Sequence, residues 1–265
     1  MEFRDRVIMI TGAGGRLGRP CATAFAGQGA RLIVTDVAQD RLEDTAAATR
    51  QAGARVVAVP ADIRQEADVE RVVAEGTKTL GPVDVLVNFA GYVPTTYVVD
   101  MPTDEWERVF DVNVKGTMLC CRTVARQMIG RKAQGCIVNI SSGASTSARA
   151  GAAHYCGSKA AVNMLTEVLA IELGPNGIRV NAVAPGLVLD HVITKAEDAP
   201  HPYLRDMLVA TPLGRTGSGD DIANAVMYLS SPRAGWITGE VFYVTGGAHC
   251  GRTHMAVARG LPKQV

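Results

Sequence analysis

Four apolar residues, Val7-Ile8-Met9-Ile10, run without a break into Thr11-Gly12-Ala13-Gly14-Gly15-Arg16-Leu17-Gly18, and a helical run from Pro20 to Gln28 follows at once. Few folds use that order of parts. A short run that is apolar on both faces suits a strand buried inside a parallel sheet. A glycine-rich turn between such a strand and a helix lets backbone N–H groups approach a pyrophosphate at the helix N-terminus. A tight turn with no ligand is the plain alternative, and the strand–turn–helix context favours the nucleotide. Gly12, Gly14, Arg16, Leu17 and Gly18 are therefore candidate cofactor-binding residues.

The pattern then repeats. Strands expected at 31–35, 55–59, 83–87, 136–140, 179–183 and 240–244 alternate with helical runs at 40–52, 65–80, 103–131, 154–173 and 218–230. That alternation predicts an α/β fold: one Rossmann-type, doubly wound parallel sheet of about seven strands with helices on both faces, in a single domain over 1–265. Asp36 ends the second strand. An acid there accepts hydrogen bonds from the adenosine ribose hydroxyls and repels a 2′-phosphate, which selects NAD over NADP; a helix-capping aspartate is the alternative. Asp104, with Glu107 three residues on, fits a helix cap, as does Ser218 with Asp221. Between 189 and 211 the periodicity fails, prolines stand at 200 and 202, and charges crowd in. A loop over a substrate is expected there.

Tyr155 and Lys159 stand four apart at the start of the 154–173 run, so they share one helix face. A free phenol titrates near pKa 10, and an ammonium beside it favours the phenolate. A tyrosine tuned in this way accepts a hydroxyl proton, or returns it to an alkoxide. Ser142 follows the apolar strand Ile137-Val138-Asn139-Ile140, which can hold its hydroxyl in the same cleft. Tyr-x-x-x-Lys alone is weak, since a half-buried Tyr beside a solvated Lys is the commoner case. Asn113 lies inside the long helix, an unfavourable place unless its side chain has a task.

Together these pieces resemble the short-chain dehydrogenase/reductase family, from about Val7 to Gly247. The resemblance implies NAD(P) as cofactor, a small alcohol or carbonyl substrate, and catalysis by Asn113, Ser142, Tyr155 and Lys159, with Ser141 behind Ser142. It further implies that Asp62 and Ile63 touch the adenine, that Asn88, Ala90 and Gly91, where the family has Asn-Asn-Ala-Gly, bind the cofactor, and that Ala90 and Gly91 let it come close. Asp62 also reads as a cap of the helix at 65–80. The same resemblance implies that Tyr155 and Lys159 face the nicotinamide ribose, that Pro185 and Gly186 turn the chain toward the nicotinamide, and that Val188 bonds its carboxamide. It implies too that Asn113 holds a water linking Lys159 to solvent, and that the chain forms a homotetramer through the helices at 104–131 and 154–173. Three departures stand out: Arg16 fills a glycine place, Phe89 an asparagine place, and Asp190 a place where threonine is frequent. Arg16 either reaches a phosphate or caps the adenine side.

A net charge of +1 gives no field for nucleic acid or an anionic membrane. Six cysteines without a Cys-x-x-Cys, no apolar leader and no apolar run of membrane length predict a reduced, cytoplasmic chain. His249, Cys250 and His254, in the tail at 248–265, lack structural-zinc spacing, so no metal is expected. Tyr92, Thr95, Ala144, Arg149, His154 and Leu187 are expected around the substrate, and Arg149 with the loop's basic residues hints at a polar or acidic one. The leading reading is an NAD-dependent oxidoreductase that interconverts a secondary alcohol and a ketone. The glycines also fit Thr-Gly-x-x-Gly-x-x-Gly, the spacing of nucleotide-sugar epimerases and dehydratases, and a non-catalytic NAD-binding sensor is the reading from another class. A serine hydrolase lacks its Gly-x-Ser-x-Gly.

Overall fold

The computed structural model describes residues 1–251. The first strand, β1 (Val7–Thr11), is buried along its whole length. Side chains alternate across a strand, so both faces of this one need partners. Ile8 and Ile10 pack on one side with Phe25, Leu42, Ile222 and Val226. Val7 and Met9 pack on the other with Val72, Leu119, Val124 and Met128. One helix layer therefore comprises α1 (Gly18–Gly27), α2 (Gln39–Gln51) and α8 (Gly219–Ser230), and the other α3 (Glu66–Leu80), α5 (Thr117–Gly130) and α6 (Ala153–Leu173).

Between these layers lies a parallel sheet of seven strands. The others are β2 (Arg31–Thr35), β3 (Val56–Ala58), β4 (Val85–Asn88), β5 (Gly135–Ile140), β6 (Ile178–Pro185) and β7 (Val241–Val244), in the order β3-β2-β1-β4-β5-β6-β7. The register aligns Thr11 with Thr35 and with Asn88, and Asn88 with Asn139. Strand order reverses between β1 and β4. In open parallel sheets the crevice at the carboxyl ends beside that reversal is where ligands bind. The glycine turn, Ala90-Gly91 and Ser141-Ser142 all leave from those ends.

Three local expectations change. The long helix begins after Pro102 rather than on a side-chain cap: Asp104 instead accepts the N–H of its neighbour Glu105 at 3.0 Å. It is also interrupted. Helix α4 (Thr103–Phe110) passes through a π-helical stretch, Asp111–Gly116, before α5 begins. Such bulges re-aim a side chain, and they concentrate at functional sites; here the side chain is Asn113, fully buried. Third, the 189–211 stretch holds a helix, α7 (Pro202–Val209). Pro202 sits in its first turn, where a missing N–H costs nothing, and His201 caps it by accepting from Tyr203 N at 3.1 Å.

The Ser218–Asp221 capping box forms as expected. The six cysteines are free thiols. Among the described residues, no helix is long and apolar enough to cross a membrane, and no cluster of His, Cys, Asp or Glu could hold a metal. His249 bonds Thr245 and stacks on Tyr243. His254 and the tail after 251 lie outside the described residues.

Candidate active site

The glycine turn is shaped for close approach. Gly12 has φ +62°, and a Cβ there would lie 2.5 Å from Ala90 N; one at Gly18 would collide with the Gly12 carbonyl. Gly14 donates its N–H to Asp36 Oδ2 at 3.0 Å, and Ala38 donates to Oδ1 at 2.9 Å. These two bonds fix the Asp36 carboxylate beside the turn and leave each oxygen a lone pair for a ribose hydroxyl. Next to Asp36, Ala61 N donates to its carbonyl at 3.2 Å, which brings Asp62 and Ile63 to the same end.

Asp62 does not cap α3, whose N-cap is Gln65. Its carboxylate is gripped by Arg64, with Nε 2.9 Å and Nη2 2.6 Å from Oδ2. That bond holds the Asp62 carboxyl below the usual carboxylate range. The sequence carried no signal for a pair two residues apart. Ile63 is buried, packed under Gly116 of the π stretch.

Arg16 is held by groups of the chain itself. Its Nη1 donates to the Val188 carbonyl at 3.2 Å, and its Nε pairs with Asp190 at 3.1 Å. Two of the three departures from the family pattern are thus one contact: an arginine in a glycine place holds an aspartate in a threonine place. The pair ties the glycine turn to the chain leaving β6. The backbone at Gly186 is equally close-set, since a Cβ there would lie 2.7 Å from Thr245 Cα.

Asn88 turns away from the crevice. It donates to Asn139 Oδ1 at 2.9 Å and to Cys121 Sγ at 3.3 Å, and Asn139 donates to Thr166 Oγ1 at 3.0 Å. This buried polar chain bonds β4, β5 and α6 together below Ala90 and Gly91. Phe89, in the asparagine place, packs against the core instead.

At the other end of the cleft, Ser142, Tyr155 and Lys159 converge. A cavity of about 440 Å³ runs from Gly12 and Gly18 past Phe89 and Gly91 to these three residues and Arg149. A larger hollow, about 540 Å³, opens beside Arg6, Arg179 and Trp236, and none of the candidate residues lines it. Burial pushes the Tyr155 phenol up, and its hydrogen bond with Ser142 and the Arg149 guanidinium pull it back. Ser142 Oγ also accepts from Ala144 N at 3.1 Å, which fixes the hydroxyl.

Lys159 departs from the sequence-based picture. Its Nζ donates to the Ile140 carbonyl at 2.7 Å and lies 5.8 Å from the Tyr155 ring centre. Burial lowers its pKa from 10.5 to about 8. The cation acting on the phenol in this structure is Arg149. Ser141 serves as support: it donates to Asn163 Oδ1 at 2.5 Å and to the Lys159 carbonyl at 3.3 Å.

Asn113 is fully engaged. Its Oδ1 accepts from Tyr92 N at 2.8 Å, and its Nδ2 donates to Tyr92 O at 3.1 Å and to Ser158 Oγ at 2.9 Å. Ser158 in turn donates to the Tyr155 carbonyl at 2.8 Å. The π stretch thus anchors both the Gly91–Tyr92 turn and the first turn of α6. A Cβ on Gly91 would sit 3.4 Å from Asn113 Oδ1 and 3.8 Å from Lys159 Nζ, so both polar groups border that glycine.

His154 is not at the substrate end. It is fully buried, its Nδ1 accepts the Tyr155 N–H at 2.8 Å, and its Nε2 meets Glu105 Oε1 at 3.2 Å. An Nδ1 that accepts carries no proton, so Nε2 donates to Glu105. Tyr92, Arg149 and Leu187 do line the cavity, joined by Val93, Tyr203 and Met207. Thr95 packs on Gly151 instead, and Ala144 contributes its N–H to Ser142.

Comparison with known proteins identifies the family. A family model described as enoyl-(acyl carrier protein) reductase matches residues 12–249. A short-chain dehydrogenase/reductase from Mycobacterium marinum has a crystal structure that superposes with a TM-score of 0.86 at 30% identity, covering 94% of this chain and 97% of that one. The chain belongs to the short-chain dehydrogenase/reductase family. Among family relatives, the (2S)-[(R)-hydroxy(phenyl)methyl]succinyl-CoA dehydrogenase subunit BbsD of Thauera aromatica is 36% identical over 93% of this chain and 98% of its own length. An NAD-dependent glycerol dehydrogenase of Listeria innocua is 35% identical over 93% of this chain and 94% of its own.

Proposed function

We propose that this oxidoreductase interconverts a secondary alcohol and a ketone with NAD, Tyr155 being the acid/base. The observation that carries the reading is that Ser142, Tyr155 and Lys159 share one cavity with the glycine turn. Both relatives named above are dehydrogenases of hydroxyl-bearing substrates, which supports it.

The crevice fits a dinucleotide, because a cavity of about 440 Å³ at the strand ends is bordered by Gly12, Gly15, Gly18, Gly91 and Gly186, which put backbone rather than side chains on its wall. Gly12, Gly14, Leu17 and Gly18 would hold the pyrophosphate, Asp36 the adenosine ribose, and Asp62 and Ile63 the adenine. Ala90, Gly91, Pro185, Gly186 and Val188 would border the nicotinamide side. Asn88 acts from below the crevice, and Arg16 acts through Val188 and Asp190. When bound, the nicotinamide supplies the hydride acceptor.

The chain's own residues do the rest. Ser142 orients the substrate oxygen. Tyr155 takes the hydroxyl proton during oxidation and gives it back during reduction. Lys159 faces the ribose, and Asn113 holds the turn that keeps Tyr92 and Gly91 in place. Exposed Met164, Val168 and Ile171 on α6 form an apolar stripe suited to a homo-oligomer.

The test is absorbance at the NADH band with NAD and with NADP, across secondary alcohols, sugars and hydroxy acids. Net reduced cofactor is expected. Conversion of a sugar nucleotide with none released would favour an epimerase instead, and cofactor binding without any turnover a sensor.

Cofactor choice gives a sharper check. A carboxylate at Asp36 repels a 2′-phosphate. Asp36→Ala is expected to move the NAD-to-NADP ratio of kcat/KM toward NADP by on the order of tenfold or more. An unchanged ratio would show that Asp36 does not read the ribose.

A further inference from the structure

The cation that faces the Tyr155 phenol has no anionic partner at the substrate end. Arg149 stands on the segment between β5 and α6. Its guanidinium carbon lies 5.6 Å from the Tyr155 ring centre and 5.8 Å from that of Tyr203. Its Nη1 donates to the Tyr203 hydroxyl at 2.8 Å. Among the described residues no carboxylate comes within ion-pair distance of it. The other two cations on this cavity are committed, Arg16 to Asp190 and Lys159 to the Ile140 carbonyl.

The walls around Arg149 are aromatic or apolar: Tyr92, Val93, Leu187, Tyr203 and Met207. A cation facing such walls is matched by an anion, and one that arrives with the substrate balances its charge as the substrate displaces water from it. A guanidinium presents coplanar N–H donors that match a carboxylate. Tyr203 adds to the match. Its oxygen accepts from Arg149, so its own O–H stays free to donate to the same anion. One guanidinium and one hydroxyl balance a single negative charge, which suits a carboxylate and not a phosphate dianion.

We infer that Arg149 and Tyr203 bind a carboxylate carried by the substrate, so that the substrates are hydroxy acids and their oxo-acid partners. This rests on the oxidoreductase reading. In oxidation the carbinol C–H bond breaks with its electron pair passing to the oxidised cofactor. The hydroxyl proton passes to Tyr155, a C=O bond forms, and the carboxylate is unchanged. The guanidinium carbon lies 5.6 Å from the Tyr155 ring centre, so one small molecule can meet both residues, and 2- and 3-hydroxy acids are the shortest hydroxy acids with which to ask.

The test compares 2- and 3-hydroxybutyrate with their methyl esters, in the wild type, Arg149→Gln and Arg149→Lys. The wild type is expected to prefer each productive acid to its ester by about 10²-fold in kcat/KM. Arg149→Gln is expected to erase most of that ratio, chiefly through the KM of the acid, and Arg149→Lys to keep part of it. An unchanged ratio overturns the inference. So does an equal fall for acid and ester through kcat with a displaced pH profile, which would mean that Arg149 serves Tyr155 alone.

Calorimetric titration with butyrate, which has the acid group and no carbinol, gives a readout free of turnover. Binding by the wild type that Arg149→Gln weakens at least about tenfold supports the inference; equal binding, or none in either protein, overturns it. Turnover of esters and acids alike sinks the carboxylate site and leaves the oxidoreductase reading standing. Butyrate held through Arg149, with no alcohol oxidised in either cofactor, does the reverse.

Discussion

Tyr155→Phe is expected to lower turnover by about 10³-fold, within the range that a positioned acid/base contributes, while cofactor affinity stays within a factor of about three. The substitution deletes one oxygen and keeps the ring that Arg149 and Lys159 face. Ser142 is not orphaned by the change, because its Oγ retains the Ala144 N–H. Stability should therefore move by no more than about 1 kcal/mol. Steady-state absorbance, fluorescence titration with NADH and a thermal melt measure the three quantities. Near-wild-type turnover would remove Tyr155 from the chemistry. A joint collapse of cofactor binding and melting temperature would mean that the hydroxyl holds the fold.

The same phenol predicts a pH asymmetry. Burial raises it above its ordinary value in the free protein, so its proton is present at neutral pH. Reduction needs that proton, and oxidation needs it gone. The kcat/KM for oxidation should rise with pH through neutrality into the alkaline range, while that for reduction stays flat near neutrality and falls at high pH. In Tyr155→Phe both limbs should flatten.

Much of this could be read from the chain because it rests on short-range rules. A both-faces-apolar Val7–Ile10, a glycine turn and a following helix dictate one local geometry, and the repeated alternation dictates a parallel sheet. Ser142 and Tyr155 are placed by rigid elements, a strand end and a helix start, so their meeting was legible too. The rest depends on contacts between distant segments. No spacing rule reports that Arg16 spans to Asp190, that Asn113 clamps the Tyr92 backbone from a π stretch, or that His154 turns inward to Glu105. Motif alone sets Asn88 in the crevice, whereas the register of β4 against β5 sets it opposite Asn139. Helix α7 is hidden in the sequence because a proline reads as a breaker when it is in fact a first-turn residue. Lys159 was half legible: its helix face followed from the spacing, but the carbonyl that draws its ammonium away from the phenol lies across the fold on β5.

That carbonyl makes Lys159→Met a variant whose activity and stability should move in opposite directions. The ammonium is buried and its pKa lowered from 10.5 to about 8 by that burial. At pH 7 it is charged in both folded and unfolded chains, so the folded state bears the full cost of desolvation. The shift corresponds to roughly 3 kcal/mol. Met has a similar unbranched length and no charge, though it leaves the Ile140 carbonyl without a donor, a loss of about 1 kcal/mol. The net expectation at pH 7 is a gain on the order of 1–2 kcal/mol, seen as a melting temperature raised by roughly 2–6 °C. As pH climbs from about 8 to 10.5, the folded wild type sheds the proton while the unfolded chain keeps it. Wild-type stability from this group therefore rises with pH over that window, and its deficit against Lys159→Met should close by the upper end. Turnover should fall by about 10²-fold or more, since the proposed ribose contact and the second cation facing the Tyr155 ring are both lost. A melting temperature lowered at pH 7, or a gap that widens with pH, would mean that the ammonium holds this cleft together rather than straining it.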